Sequence, residues 1–170
     1  MADLNTLKIP KYYVPFVEPV VEQDLIQGLI VLGNEALDFY RSISESNSMY
    51  CYEEGKWSIK QVLAHVIDTE RVFTYRALAF SRNDSNELPG FDQELYAHEA
   101  NSNQRKWHKI IEEFANVRAS TIDLFSSFSD NMLERTGVAS SVEISVRALG
   151  YLILGHALHH QHVIQKKYLR

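Results

Sequence analysis

Gly155-His156-Ala157-Leu158-His159-His160-Gln161-His162, close to the C-terminus, holds four of the chain's seven histidines in eight residues. They interrupt what otherwise reads as the apolar stripe of a long helix through Val146, Leu149, Leu152, Ile153 and Val163. An α-helix turns once in about 3.6 residues and rises about 1.5 Å per residue. His156 and His160 therefore share one face, with about 6 Å of rise between them. That i,i+4 spacing is how one helix offers two imidazoles to one metal ion. Two histidines leave such an ion under-coordinated, so a third ligand must come from elsewhere in the chain.

Outside the cluster stand His65, His98 and His108. His65 lies inside a patterned segment, where Ser58 and Gln61 form a capping-box signature and Val62, Leu63, Val66, Ile67, Phe73, Ala77 and Leu78 give an apolar side. This second helix is expected to run to about Arg82. On its wheel His65 falls at the edge of the apolar side, on a polar strip with Gln61, Asp68, Thr69 and Arg76. A first helix is expected from Pro19, which suits the opening helical position, to about Ser44. Ser102 caps a third through Trp107, Ile110, Phe114, Thr121 and Phe128, and Ser140 with Glu143 caps the fourth. The connection over 83–101 is the longest, with Leu88-Pro89-Gly90-Phe91 and room for a short helix at Asp92 to His98. A second connection spans 129–140 with Gly137 as a turn, and only Val142 to Val146 resembles a strand.

Depth along the helices turns these elements into a topology. His65 lies about 10 Å from the start of helix two, and His160 about 12 Å from the end of helix four. They meet only if those helices run antiparallel. Up-down-up-down order makes them parallel and fails. Up-down-down-up order succeeds, and it needs one long crossover between helices two and three, where the longest connection lies. The expected fold is thus all-α, a four-helix bundle of up-down-down-up order. Residues 1–18, with Tyr12, Tyr13 and Phe16, read as an extended arm packed onto a single domain over 19–170.

Composition sets the outer bounds. A 170-residue chain with 45% hydrophobic and 23% charged residues is an ordinary globular domain. A net charge of −5 gives no general attraction to nucleic acid or to an anionic membrane. One cysteine, Cys51, forbids an internal disulfide, fits a reducing compartment and reads as a buried apolar residue. With no signal-peptide layout and no long apolar run, a cytoplasmic protein is expected.

Trp57-Ser-Ile-Lys-Gln-Val-Leu-Ala-His65, then Asp68-Thr-Glu-Arg71, and later His156-Ala-Leu-His-His160 resemble the DinB-like (DinB/YfiT) superfamily of metal-dependent proteins. The Leu88-Pro-Gly-Phe-Asp92 loop is similar to one bacterial branch of it, and the resemblance runs from about Gly55 to Leu169. It implies the same bundle order and a divalent metal, commonly nickel or zinc, on His65, His156 and His160. It also implies a small-molecule substrate, with thiol-dependent S-transferases and a mycothiol-dependent isomerase among its members, and a homodimer. Gln161-His162 departs from the basic residue and glycine that relatives often carry, so that position does not choose a substrate.

A three-histidine metal with an open position can lower the pKa of a bound water, or hold an external thiol as thiolate. The chain lacks the glutamate of a His-Glu-x-x-His motif, which favours transfer of a low-molecular-weight thiol in detoxification or stress response. The alternatives are a metal-dependent hydrolase and a non-catalytic bundle that binds a metal or another ligand. His159 reads as a helix-edge hydrogen-bonding group or an extra ligand, and His98, His108 and His162 as surface residues. Asp68 is either a carboxylate that orients a ligand or a solvated one. Arg71 and Arg76 either hold an anionic substrate or form surface ion pairs, the latter being favoured. Aromatic residues such as Phe73 and Phe114 are expected in the core.

Overall fold

The computed structural model describes residues 4–169. Four long helices carry it: α1 (Leu25–Ser42), α2 (Ile59–Ser81), α3 (Trp107–Ser126) and α4 (Val146–Lys167). None is long and apolar enough to cross a membrane. α2 starts as its sequence directs, with the Ser58 side chain accepting from Gln61 N while the Gln61 side chain accepts from Ser58 N. The other three starts differ from expectation. α1 begins at Leu25 rather than Pro19, because residues 18–23 turn to bury Val20 and Val21 and Asp24 then accepts from Gln27 N at 2.9 Å. Ser102 opens only a 3₁₀ turn, and α3 takes its cap from a distance: Trp107 N donates to Glu45 Oε2 at 2.8 Å. α4 is capped by Ser145, because Ser140 and Ser141 are the turn of a hairpin.

Contacts between the helices give their directions. Along α1 and α3, Tyr40 meets Trp107 while the Leu29 carbonyl accepts from Arg118, so the two are antiparallel. Along α2 and α3, Glu70 pairs with Arg118 and Thr74 with Thr121, so these are parallel. α4 opposes α2, since His65 meets His156 and the Tyr168 hydroxyl donates to the Trp57 carbonyl. α4 follows α1, with Gly150 against Leu25 and Leu154 against Gly28. The order is up-down-down-up, as the histidines require.

Apolar burial divides at mid-bundle. On α2, Val62 to Ile67 join one cluster with Tyr40, Trp107 and Ile164, and Phe73 to Phe80 join another with Leu25, Phe125 and Leu152. Between them lies a polar layer, in which the Arg118 guanidinium makes two 2.9 Å bonds to the Glu70 carboxylate and both side chains are at most 4% exposed. His65 and Thr69 on α2 are also buried, at 5% and 3% exposure.

The crossover is tied down at one end. β1 (Thr136–Ala139) pairs antiparallel with β2 (Val142–Ser145), and Ser140 and Ser141 turn between them at φ of 55° and 62°. Such left-handed values suit a two-residue hairpin. Gly137, expected as a turn, lies inside β1, where a Cβ would come 2.1 Å from the Phe80 ring. Leu88 in the crossover exchanges backbone bonds with Val138 and Ser140. Arg76 is buried rather than a surface ion-pair partner, and it donates to the Pro89 carbonyl at 2.9 Å and to Ser140 Oγ at 3.1 Å. The crossover helix Gln93–Glu99 is capped by Asp92, close to where it was expected.

Candidate metal centre

One turn separates His156 from His160 on α4, and the antiparallel α2 brings His65 to meet them. His65 Nε2 and His160 Nε2 each lie 3.1 Å from His156 Nε2. Hydrogen bonding alone explains this poorly. An imidazole nitrogen offers one in-plane lone pair or one N–H, so His156 Nε2 cannot bond well to both neighbours at once. A metal ion suits the arrangement better, because tetrahedral bonds of about 2.0–2.1 Å place ligand nitrogens roughly 3.3 Å apart. Among the described residues these three form the group of ligand atoms close enough to share one ion.

The surroundings keep the imidazoles neutral. Burial pushes His65 down to about 4. Burial, helped by His65 and His159, pushes His160 down to about 3. Burial and the three neighbouring histidines hold His156 well below the usual range. Neutral imidazole is the form that binds metal.

The same shifts make the metal-free protein acid-sensitive. Unfolded histidine takes up its proton near 6.5, whereas the folded His65 and His160 resist to about 4 and about 3. The unfolded chain thus binds more protons below about pH 6.5, and stability falls as pH drops through that window. At pH 5 each group costs on the order of 2 kcal/mol. Urea midpoints measured with a chelator from pH 7 to pH 4.5 should fall accordingly, and the fall should be shallower in His65→Asn. Parallel pH profiles for the two proteins would contradict it.

A cavity of about 570 Å³ opens onto the histidines. Besides α2 and α4, three parts of the chain wall it. The N-terminal segment is not an extended arm: 3₁₀ turns at Leu4–Thr6 and Lys11–Tyr13 lead into a short helix, Val14–Val17, while residues 1–3 lie outside the described chain. Phe16 of that helix packs on His156 and His159, with ring centroids 6.0 and 5.0 Å apart. The approach needs Gly155, where a Cβ would come 1.8 Å from the Phe16 carbonyl oxygen. Trp57, just before α2, lies tilted against His65 with ring centroids 5.0 Å apart, and the crossover contributes Phe91, Gln93 and Glu94.

His159 lines this cavity but not the group of three, and burial lowers its pKa. His98, His108 and His162 are exposed and apart from the site. Asp68 pairs with Arg71 at 3.4 Å, and Arg71 reaches Glu113 at 2.7 Å, so both belong to a surface ion-pair group. Cys51 is exposed rather than buried. Thr69 and Phe73 of the cavity wall stand four and eight residues after His65, a spacing readable in the sequence. Tyr13, Phe16 and Phe91 carry no such signal.

A family model described as the DinB superfamily matches residues 23–164. A protein of Oceanobacillus iheyensis named "Putative metal-dependent hydrolase" is 24% identical over 156 residues, 89% of this chain and 88% of the relative. Among solved structures, YfiT from Bacillus subtilis, described as a probable metal-dependent hydrolase with an unusual four-helix bundle topology, superposes at a TM-score of 0.72. It is 17% identical, over 84% of this chain and 82% of that one. A mycothiol-dependent maleylpyruvate isomerase superposes at 0.65 with 9% identity, over 84% of this chain and 61% of that one. The DinB-like YjoA from Bacillus subtilis superposes at 0.60 with 14% identity, over 85% and 88%. At these identities the solved structures establish the fold.

Proposed function

Because this chain belongs to the DinB superfamily, we propose that it is a metal-dependent enzyme for a small molecule, with His65, His156 and His160 as ligands of one divalent ion. The observation that carries this is the convergence of three neutral imidazole nitrogens at the floor of a cavity. Imidazole donors suit zinc or nickel. Such an ion, when bound, supplies a Lewis acid that deprotonates a thiol or activates water.

The reaction we favour is transfer of a low-molecular-weight thiol to an electrophile. Among the described residues Glu94 is the carboxylate that lines the cavity, and it is exposed on the crossover. Thiol transfer would need no carboxylate base, because an ion held by the three histidines would lower the thiol's pKa enough for solvent to take the proton. The chain's own part is to hold the electrophile and shield the sulfur from water, tasks that fit Phe16, Trp57 and Phe73. A second reading, hydrolysis, has its own support: His159 stands in the cavity wall, where it could accept a proton from water.

Zinc- and nickel-loaded protein incubated with cysteine and monochlorobimane distinguishes the two. The expected result is thioether formation above the uncatalysed rate, with chloride as leaving group, abolished by a chelator and by His160→Ala. Hydrolysis of p-nitrophenyl esters without added thiol, lost in His159→Gln, would assign the protein to hydrolysis instead.

A further inference from the structure

Thr69 is a residue of the cavity that the metal reading leaves unused. Its side chain is 3% exposed, and Thr69 Oγ1 is buried with no hydrogen-bond partner. It lies one helical turn beyond His65 and one before Phe73, and all three line the cavity. α4 runs the other way and sets both His156 and His160 against His65, and His156 also against Phe73. A buried hydroxyl is costly to leave unpaired, so Thr69, one helical turn from His65 in the same cavity wall, calls for a polar ligand atom.

The rest of the wall describes the body of that ligand. Phe16, Phe73, Trp57, Phe91 and Leu152 present aromatic and aliphatic surface. Among the described residues, the ionised side chains that line the cavity are Lys56 and Glu94, both exposed and opposite in sign. The nearby guanidinium of Arg76 donates to the Pro89 carbonyl and Ser140 Oγ and also bonds to the Tyr13 hydroxyl, so it reaches the wall only through Tyr13. Among the described residues nothing in this wall is built to neutralise a multiply charged anion, whereas rings stack well on such surfaces.

We propose that the site selects a ligand with an uncharged, ring-bearing apolar body and a polar head shared between the three-histidine centre and the Thr69 hydroxyl. This rests on the metal reading above and names the substrate class for the same site.

Cobalt-substituted protein tests it, with visible absorption reporting the binding of acetohydroxamate and benzohydroxamate, which share a head and differ in body. Wild type should bind benzohydroxamate at least about tenfold more tightly, since a phenyl ring buries far more apolar surface than a methyl group. Thr69→Val should bind both probes about five- to tenfold more weakly, the worth of one hydrogen bond, while Thr69→Ser keeps wild-type affinity. Cobalt stoichiometry should be unchanged in both variants, and the melting temperature of Thr69→Val unchanged or higher. Equal probe affinity in Thr69→Val and wild type would overturn the role of Thr69, and so would a loss of both stability and cobalt in that variant. Equal affinity for the two probes in wild type would overturn the ring-bearing body. Failure of wild type to take up cobalt would overturn the metal reading, and this proposal with it.

Discussion

Arg118→Met should destabilise the fold by about 3–5 kcal/mol, because it leaves the Glu70 carboxylate buried without its partner. The pair sits between two apolar clusters, and its two parallel bonds leave little freedom for a substitute. Arg118 also packs over the Phe114 ring at 5.3 Å, and a Cβ on Gly33 would lie 3.1 Å from Arg118 Cγ, so α1 is shaped around this side chain. Replacing both partners, as Glu70→Leu with Arg118→Met, should recover most of the loss, since the penalty belongs to the stranded charge. Urea denaturation of the two single variants and the double variant checks this. A double variant as unstable as the sum of the singles would show that the pair does not act as one unit.

The second large effect is on metal affinity. His156 is the middle of the three, with its Nε2 at 3.1 Å from both others. Loss of a partner that merely orients a ligand costs roughly 10–100-fold in affinity. Loss of a ligand costs more, so His156→Ala should weaken zinc or nickel binding by well over about 100-fold, with His65→Ala and His160→Ala in the same range. His159→Ala and His162→Ala should leave affinity near wild type, because neither belongs to the group of three. Competition titration against a chromogenic chelator measures all five variants, and circular dichroism confirms that each remains helical. Equal losses in His159→Ala and His160→Ala would mean that the ligand set is not the one described.

Much of this arrangement was legible in the sequence. The i,i+4 pair on α4, the capping box at Ser58 and the long connection after α2 together predicted antiparallel α2 and α4, and hence the order of the bundle. Helix starts were harder wherever the deciding bond is not local. Trp107 N finds its acceptor on Glu45, and no inspection of residues near Trp107 reveals that. Ser140 and Glu143 have the spacing of a capping box, but the backbone there turns with positive φ and pairs as a hairpin. Arg76 looked like a surface residue because its acceptors, Pro89 and Ser140, lie 13 and 64 residues away. The cavity wall follows the same division: Thr69 and Phe73 follow from helical spacing, whereas Phe16 and Phe91 arrive by tertiary folding.

Whether His65, His156 and His160 hold one divalent ion is tested most directly by metal content. The chain is to be produced without a polyhistidine tag, purified without chelator, and its metals quantified beside the His65→Ala and His160→Ala proteins. Close to one zinc or nickel per chain in wild type, and none in either variant, is the predicted result. Wild type free of metal, with no uptake when zinc or nickel is added, would contradict it.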